Sequence, residues 1–128
     1  SLPEWQEGYL DIHHIRAGYG DCMFAILPDG TTLMFDAGEG NPSNYNAKEY
    51  PSEATRPLPD SSKTVSQWIL WYLRNTWPER LPFNLDYMLV SHFHADNVGE
   101  VHPKAPKSKS GNYDLSGVAA IANEIPIQ

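Results

Sequence analysis

The first third of the chain groups its hydrophobic residues in the short runs that are typical of β-strands. Residues 9–15 (YLDIHHI) show a mixed alternation, and residues 22–27 (CMFAIL) and 31–35 (TTLMF) are short apolar runs. A Pro-Asp-Gly turn signal at 28–30 separates the two runs, because proline is preset for a turn and glycine accepts a positive φ. The pattern therefore predicts a strand followed by an antiparallel hairpin.

Residues 62–75 change to helical spacing and predict the clearest helix of the chain. Ser61 or Ser62 can cap its start, and Pro78 lies just beyond its end. We expect an apolar stripe that packs against the rest of the domain, with both of its tryptophans as packing residues. The stripe consists of Val65, Trp68, Ile69, Tyr72 and Leu73, widened by Leu70 and Trp71.

The C-terminal part predicts a buried strand, a helix and the opening of another strand. Residues 85–90 (LDYMLV) are nearly all apolar, which is typical of a strand covered on both faces. Residues 115–124 predict a short helix, and residues 125–128 (IPIQ) predict the start of a strand. The apolar face of that helix would carry Leu115, Val118, Ala119 and Ala122.

The order of these elements predicts an α/β fold of the layered α+β type, in a single domain over residues 1–128. Because the pattern stops on a new strand, we expect the domain to be truncated at its C-terminal end. Residues 39–61 contain four prolines and predict a long irregular loop, which is either a lid over a site or a plain surface excursion.

Composition narrows the classes of function. Of the 128 residues, 41% are hydrophobic, and no apolar run reaches the roughly 20 residues that span a bilayer. A net charge of −7 disfavours broad binding to nucleic acid and to anionic membranes. Cys22 is the one cysteine, so it cannot form an internal disulfide, and its apolar surroundings predict a core residue and not a nucleophile. The start at Ser1 permits a removed leader, so we lean to an exported protein, periplasmic or extracellular, while the compartment stays open.

Candidate chemistry is concentrated at residues 89–100 (LVSHFHADNVGE), at the end of the predicted buried strand. His92, His94 and Asp96 stand there at alternate positions, and imidazole and carboxylate groups are good ligands for zinc and similar divalent ions. Open α/β sheets place ligand sites at the carboxyl ends of their strands. We therefore predict a metal site, with Phe93 turned back into packing. The alternative is a set of polar residues that form ordinary hydrogen bonds at a strand end.

Other polar residues point less clearly to chemistry. His13 and His14 face opposite sides of a strand, so at most one could approach the motif, and both are interpreted as structural. His102 precedes a proline in a polar loop and is expected to be exposed. Three lysines in that loop could attract a phosphate-bearing substrate, although a solvated loop is the simpler interpretation. These are Lys104, Lys107 and Lys109.

The segment HFHADNVG resembles the His-x-His-x-Asp-His signature of the metallo-β-lactamase superfamily. The upstream segment GYGDCMFAILPDGTTLMFDAG is similar to the Gly-x-Gly-Asp, hairpin and Asp-Ala-Gly segments of the same superfamily. The sequence looks closest to the branch that contains the hydrolase domains of DNA-uptake competence channel proteins. The resemblance covers most of residues 9–128, apart from the proline-rich loop and residues 102–112.

The resemblance implies an αββα sandwich, here its N-terminal half, with one or two zinc ions at one edge of the sheets. By the same resemblance, His92 and His94 would bind the first ion. Asp96 would bind the second, which makes it the candidate catalytic residue. Asp36 would lie behind the ligands and orient a histidine through a hydrogen bond. The alternative is that Asp36 bonds local backbone amides. Asp21 would lie at the edge of the pocket.

Asn97 departs from the family pattern, in which a histidine for the second ion is usual at this position. An amide oxygen is a weaker zinc ligand than imidazole, so Asn97 leaves the second metal site doubtful. The family's remaining ligands would lie farther along a chain than this sequence extends, whereas a catalytic zinc uses three protein ligands and an open position.

Two functions follow as alternatives. The first is a metal-dependent hydrolase that acts on a phosphodiester or another phosphorylated small molecule through a zinc-bound hydroxide, with the substrate class taken from the branch resemblance alone. We expect activity at full length and none in this fragment alone. The second is a non-catalytic, degenerate member that binds a partner. Self-association is a further expectation, because half a sandwich exposes apolar surface and a strand edge.

Overall fold

One four-stranded sheet and three helices make up the described part of the chain, which comprises residues 2–40 and 56–128 of the computed structural model. This mixed α+β arrangement fits the predicted α/β class. The prediction of a long loop at 39–61 falls mostly on residues 41–55, which lie outside the described residues. In chain order the elements are β1 (Asp11–His14), β2 (Cys22–Ile26), β3 (Thr32–Ala37), α1 (Val65–Thr76), β4 (Tyr87–Leu89), α2 (Ala95–Val98) and α3 (Gly117–Glu124).

The sheet has the order β1-β2-β3-β4, with the first three strands antiparallel and β4 parallel to β3. The predicted hairpin is confirmed, because β2 and β3 pair through the expected turn. In this turn Gly30 N donates to Leu27 O at 2.9 Å, and Thr31 N donates to the Asp29 carboxylate at 2.9 Å. The chain passes through α1 between β3 and β4. Since these two strands are parallel, both end at the same edge of the sheet.

The helix α1 is capped by Thr64 and not by the predicted Ser61 or Ser62. Thr64 Oγ1 accepts from Gln67 N at 3.2 Å, and the Gln67 side chain accepts from Thr64 N at 2.8 Å. This capping box satisfies amides that the helix itself leaves free. Neither serine is followed at the same spacing by a glutamine or glutamate, so neither can complete a box. The helix ends just ahead of Pro78, as predicted.

The core lies between α1, α3 and the inner face of the sheet. Phe24 and Met34 of the sheet and Leu73 of α1 are fully buried. Each such side chain contributes about 1.5–3 kcal/mol by leaving water. Trp68 packs against this core as predicted. Trp71 is 50% exposed and lies outside the core, but its ring packs edge-on against Trp68, with the ring centroids 5.7 Å apart. Trp71 lies two residues before Leu73, about 200° around the helix, and therefore on the far side.

The outer face of the sheet is apolar and is without a covering layer among the described residues. Tyr87 is 61% exposed and Leu89 is 45% exposed, so the prediction that this strand is buried on both faces is wrong. An apolar face is suited to burial, but its composition does not show that a covering element is present. The strand register places on this face Ile12, His14, Met23, Ala25, Leu33, Phe35, Tyr87 and Leu89.

The helix α3 confirms the predicted C-terminal helix but buries a different face. Ile121 is fully buried, whereas Ala122 of the predicted face is exposed. Ile121 is the larger side chain, so its burial outweighs that of an alanine in setting the orientation of the helix. Residues 125–128 then run alongside the chain that leads into β4, and Gln128 N donates to Leu85 O at 3.0 Å. This pairing agrees with the predicted opening of a strand.

Cys22 is buried in the core, as predicted. Burial raises the pKa of its thiol to about 12, and the nearby charge of Asp36 adds to the rise. The thiolate is therefore negligible at neutral pH, which argues against a nucleophilic role. Within residues 2–40 and 56–128, no helix combines the length and the apolar character that crossing a membrane requires.

Candidate metal centre

The predicted motif lies where β4 leaves the sheet. β4 ends at Leu89, residues 90–94 bend away from the edge, and the short helix α2 begins at Ala95 with His94 as its N-cap residue. Because β3 and β4 are parallel, the residues that follow Ala37 reach the same edge. The motif therefore meets the Asp-Ala-Gly segment at this place.

His92, His94 and Asp96 come together in one group that could hold a metal ion. One ligand atom from each residue lies within 4.8 Å of the others. Atoms bound to one zinc ion through bonds of about 2.0–2.2 Å are at most about 4.4 Å apart, so small rotations of the side chains would close the group on an ion. Both histidines are exposed and Asp96 is half-buried, which leaves the side chains free to make that adjustment.

The donor set suits a divalent ion without fixing its identity. Imidazole nitrogen and carboxylate oxygen are ligands that zinc shares with other first-row divalent ions. The rings of His92 and His94 stand nearly perpendicular, at 78°, with their centroids 4.6 Å apart. This arrangement lets each ring direct a nitrogen toward the shared space. Three protein ligands would leave a coordination position for water or substrate.

Close backbone packing holds the loop that carries Asp96. Gly38, the glycine of the Asp-Ala-Gly segment, lies so near this loop that a Cβ atom on it would stand 1.7 Å from Asp96 O. Asp21 N donates to Asp96 O at 2.7 Å, and Gly38 N donates to Asp21 O at 3.1 Å. Asp21 is exposed and contacts the ligand loop through its backbone, which places it at the edge of the site.

Asp36 lies behind the metal-binding group at the centre of a hydrogen-bond network. It is buried and accepts from Ser91 N and Ser91 Oγ, both at 2.8 Å, and from Asn97 Nδ2 at 3.0 Å. Its φ is 57°, a conformation that aspartate adopts more readily than most residues. Burial raises the pKa of Asp36, but the hydrogen bonds from Ser91 and Asn97 and the nearby His92 outweigh burial. The pKa of Asp36 therefore lies below its ordinary value.

Ser91 connects Asp36 to the first histidine of the motif. Ser91 Oγ is 3.0 Å from His92 Nδ1, so the contact from Asp36 to the histidine passes through a hydroxyl. The alternative that Asp36 bonds local backbone amides does not describe this contact, because Ser91 is 55 residues away in sequence. Sequence reasoning missed Ser91. The available signal was a hydroxyl residue directly before the first histidine.

Asn97 is 1% exposed and lies behind the ligands. Its Nδ2 donates to Asp36 Oδ2 at 3.0 Å and to Ser91 Oγ at 3.1 Å, so the amide nitrogen supports the network. Asn97 Oδ1 is buried, and within the described residues it has no hydrogen-bond partner. The oxygen is therefore the atom through which the predicted weak metal contact of Asn97 would have to occur.

His102 is buried, so the prediction that it is exposed is wrong. It is 9% exposed, and its Nε2 lies 3.0 Å from Oε1 of Glu39, which is 2% exposed. The other oxygen of Glu39 accepts from the Ser66 hydroxyl, and from Gly117 N at 3.4 Å. Sequence reasoning missed this network because Glu39 stands 63 residues before His102, in a turn that looks polar.

The remaining candidates lie away from the group. His13 and His14 face opposite sides of β1, as predicted, and among the described residues neither belongs to the metal-binding group. His13 Nδ1 is 2.7 Å from Tyr72 OH, whereas His14 is exposed on the outer face. Lys107 forms an ion pair with Asp114, so its charge is already partnered, which fits a loop lysine better than a phosphate ligand.

A cavity of about 490 Å³ opens beside the metal-binding group. Its lining includes Tyr19, Phe93 and Glu100, together with His94 and Asp96. Phe93 is 89% exposed, so the prediction that it turns back into packing is wrong. The chain has already left the sheet at this point and bends into solvent, which takes the ring away from the core. The exposed ring offers an apolar surface next to the polar ligands.

Comparisons of the chain with protein families, with curated proteins and with solved structures found no match. The cluster of His92, His94 and Asp96 is compatible with the metallo-β-lactamase motif. The geometry of the site and the resemblance of its sequence motif are therefore what a functional proposal for this chain can use.

Proposed function

We propose that the chain carries the metal-binding site of a metal-dependent hydrolase of the metallo-β-lactamase type. The observation that carries the proposal is the group of His92, His94 and Asp96, with ligand atoms within 4.8 Å of one another at the carboxyl end of a strand. Such a ligand set beside a cavity is what metal-assisted hydrolysis requires. We expect the ion to be zinc, because imidazole and carboxylate are among its usual protein ligands.

The residues around the group have distinct roles in this proposal. A bound zinc ion supplies a water molecule with a pKa near neutrality and polarises a carbonyl or phosphoryl group. His92, His94 and Asp96 would hold the ion, and Asp96 also lines the cavity in which a substrate would bind. Phe93 and Tyr19 offer ring surfaces to the organic part of a substrate.

A phosphodiester or another phosphorylated compound is the substrate class that we propose, on the sequence resemblance alone. The surroundings are acidic, since Asp96 and Glu100 line the cavity and the whole chain has a net charge of −7. A bound divalent ion would be the largest local charge and would offset this repulsion. Binding of a phosphorylated compound should therefore depend on the metal.

The finer fold that we propose is an αββα sandwich. The apolar outer face of the sheet supports it, because sheets that pack face to face bury such surfaces between them. A second layer on this face would cover Phe35, Tyr87 and Leu89, which are all exposed in the described structure. The position of the metal-binding group at the edge of the sheet also agrees with this architecture.

Metal binding is tested by titrating the chain with Co²⁺, whose absorption reports its ligands, and with Zn²⁺ in competition. We expect about one ion per chain, and we expect His94→Ala to weaken binding by about tenfold or more. His14→Ala is the matched control, because His14 is an exposed histidine on the outer face of the sheet. Equal affinities in the wild type and both variants would contradict the proposed site.

A second candidate function is a non-catalytic binding module. Asn97 favours it, because its buried amide occupies the position of a metal-binding histidine in the family signature. Hydrolysis of bis-para-nitrophenyl phosphate, a phosphodiester, by the metal-loaded full-length protein separates the two candidates, because activity is expected only at full length. Release of nitrophenol that is lost in His94→Ala supports the hydrolase, and so does release that appears in Asn97→His. Metal binding without release in the full-length wild type or in Asn97→His supports the module.

A further inference from the structure

The imidazole of His92 contacts the hydroxyl of Ser91, which in turn contacts Asp36. We propose that Ser91 is a positioning residue that fixes His92 in the tautomer with its hydrogen on Nδ1, and so leaves Nε2 as the metal-binding nitrogen. The inference deepens the proposed metal site and rests on it for its functional meaning. The tautomer itself is a property of the metal-free chain and can be measured there.

Ser91 Oγ has one hydrogen to donate and lone pairs with which to accept. It lies 2.8 Å from Asp36 Oδ2, and an ionised carboxylate can only accept. Asp36 accepts from Ser91 N and from Asn97 Nδ2 as well as from Ser91 Oγ, so all three of these contacts use its carboxylate as an acceptor. The hydrogen of Ser91 therefore goes to Asp36, and the oxygen of Ser91 can only accept from its other neighbours.

The amide of Asn97 supports the same assignment. Its Nδ2 lies 3.0 Å from Asp36 Oδ2 and 3.1 Å from Ser91 Oγ, so the amide nitrogen donates toward both oxygens. The reversed amide would place the carbonyl oxygen against the carboxylate, where two acceptors would face each other. Asn97 is therefore one donor to the Ser91 oxygen, which leaves a lone pair for a second donor.

His92 Nδ1 is that second donor, at 3.0 Å from Ser91 Oγ. Because the hydrogen of Ser91 is committed to Asp36, this contact is a hydrogen bond only when Nδ1 carries a hydrogen. A neutral imidazole has a single N–H, so Nε2 then keeps its lone pair for a metal. His92 is exposed, and water could satisfy either nitrogen. Ser91 is therefore the group that selects the tautomer.

Long-range nitrogen–proton correlation spectra of the metal-free chain test the tautomer, at about pH 8.5, well above the ordinary imidazole pKa of about 6.5. We expect the Nδ1–H form of His92 in the wild type. Ser91→Ala should change His92 to a mixture or to the Nε2–H form, whereas Ser91→Thr keeps the hydroxyl and should retain the wild-type form. The signals of His94 serve as the internal reference and should stay the same in both variants.

Zn²⁺ affinity gives the second readout. Ser91→Ala should weaken binding by about 10–100-fold, the usual cost of removing the outer partner of a ligand histidine, and Ser91→Thr should bind like the wild type. An Nε2–H form of His92 in the wild type would overturn the proposal, and so would an unchanged spectrum in a folded Ser91→Ala chain. If the wild type shows the Nδ1–H form but binds no zinc, the tautomer assignment stands and the proposed metal site is contradicted.

Discussion

Two buried carboxylates near the end of β3, Asp36 and Glu39, belong to two hydrogen-bond networks with different endpoints. Asp36 accepts from Ser91, which contacts the exposed His92. Glu39 lies 3.0 Å from the buried His102. The first network therefore ends at a group that could hold an ion, while the second ends inside the protein.

The difference shows that a buried, hydrogen-bonded carboxylate does not by itself mark a functional site. Glu39 accepts from Ser66 at the start of α1 and from Gly117 at the start of α3, so it joins elements that are far apart in sequence. Asp36 reaches the edge of the sheet and can influence side chains that face solvent. What separates the two is whether the last residue of the network is buried or exposed.

The largest effect is expected on stability, when the Glu39 network is broken. Glu39→Ala would leave the Ser66 hydroxyl and His102 without their partner inside the protein, whereas Gly117 N would keep Ser66 Oγ, at 2.7 Å, as its acceptor. Each buried polar group that is left without its hydrogen-bond partner costs about 1–3 kcal/mol in the free energy of unfolding, and here two groups are affected. Zn²⁺ affinity should change little as long as the chain is folded. Urea unfolding and a zinc titration measure the two quantities.

The matched control for this change is Glu124→Ala. Glu124 pairs with Arg74 at the surface, where both side chains are largely exposed. An exposed pair contributes less than about 1 kcal/mol, so this variant should unfold almost like the wild type. Equal losses of stability in Glu39→Ala and Glu124→Ala would show that the buried network does not hold the two helices.

The opposite pattern is expected for Gly38→Ala. A Cβ atom at Gly38 would stand 1.7 Å from Asp96 O, so the backbone of the ligand loop has to move. We expect Zn²⁺ affinity to fall by about tenfold or more, and the free energy of unfolding to fall by about 1–3 kcal/mol through overpacking. Gly111→Ala is the matched control. Its new Cβ atom meets open space, and the positive φ of 74° at this position should lower the free energy of unfolding by a comparable amount. Because no contact with the ligand loop changes, zinc affinity should stay unchanged. An unaltered zinc affinity in Gly38→Ala would contradict the contact between these loops.

The features that the sequence predicted correctly are those with a local pattern. The hairpin follows from two apolar runs around a turn signal. Helical spacing over residues 62–75 predicted α1, which the structure has at Val65–Thr76. The grouping of His92, His94 and Asp96 also follows from local spacing at the end of a strand. In each case the residues that determine the feature lie within a few positions of one another, so the pattern shows them together.

The features that the sequence did not predict depend on residues far apart in the chain. The burial of His102 requires Glu39, and the bridge from Asp36 requires Ser91, at separations of 63 and 55 residues. No local pattern encodes such a partner, and a polar loop around His102 predicts exposure instead. The same reason explains why the sequence did not predict that the outer face of the sheet is uncovered. An apolar strand such as β4 indicates what a face is suited to contact, and not what lies against it.

The smallest effect concerns His13, a half-buried histidine that contacts Tyr72 on α1 and lies outside both networks. Burial lowers the pKa of His13, and the charge of Asp11 partly opposes this shift. Below the ordinary value of 6.5 the unfolded chain therefore binds a proton that the folded protein does not yet bind. The contribution of His13 to stability is complete above that value and is lost as the pH falls through it toward the folded pKa.

His13→Gln keeps a polar side chain beside Tyr72 but cannot titrate. The fall in the free energy of unfolding from neutral pH to about pH 5 should therefore be smaller in this variant than in the wild type, as urea unfolding at successive pH values would show. His14→Gln, at the exposed neighbouring position, should keep the wild-type fall. If His13→Gln also keeps the full fall, the burial of His13 does not contribute to the loss of stability in acid, and the role assigned to its lowered pKa is contradicted.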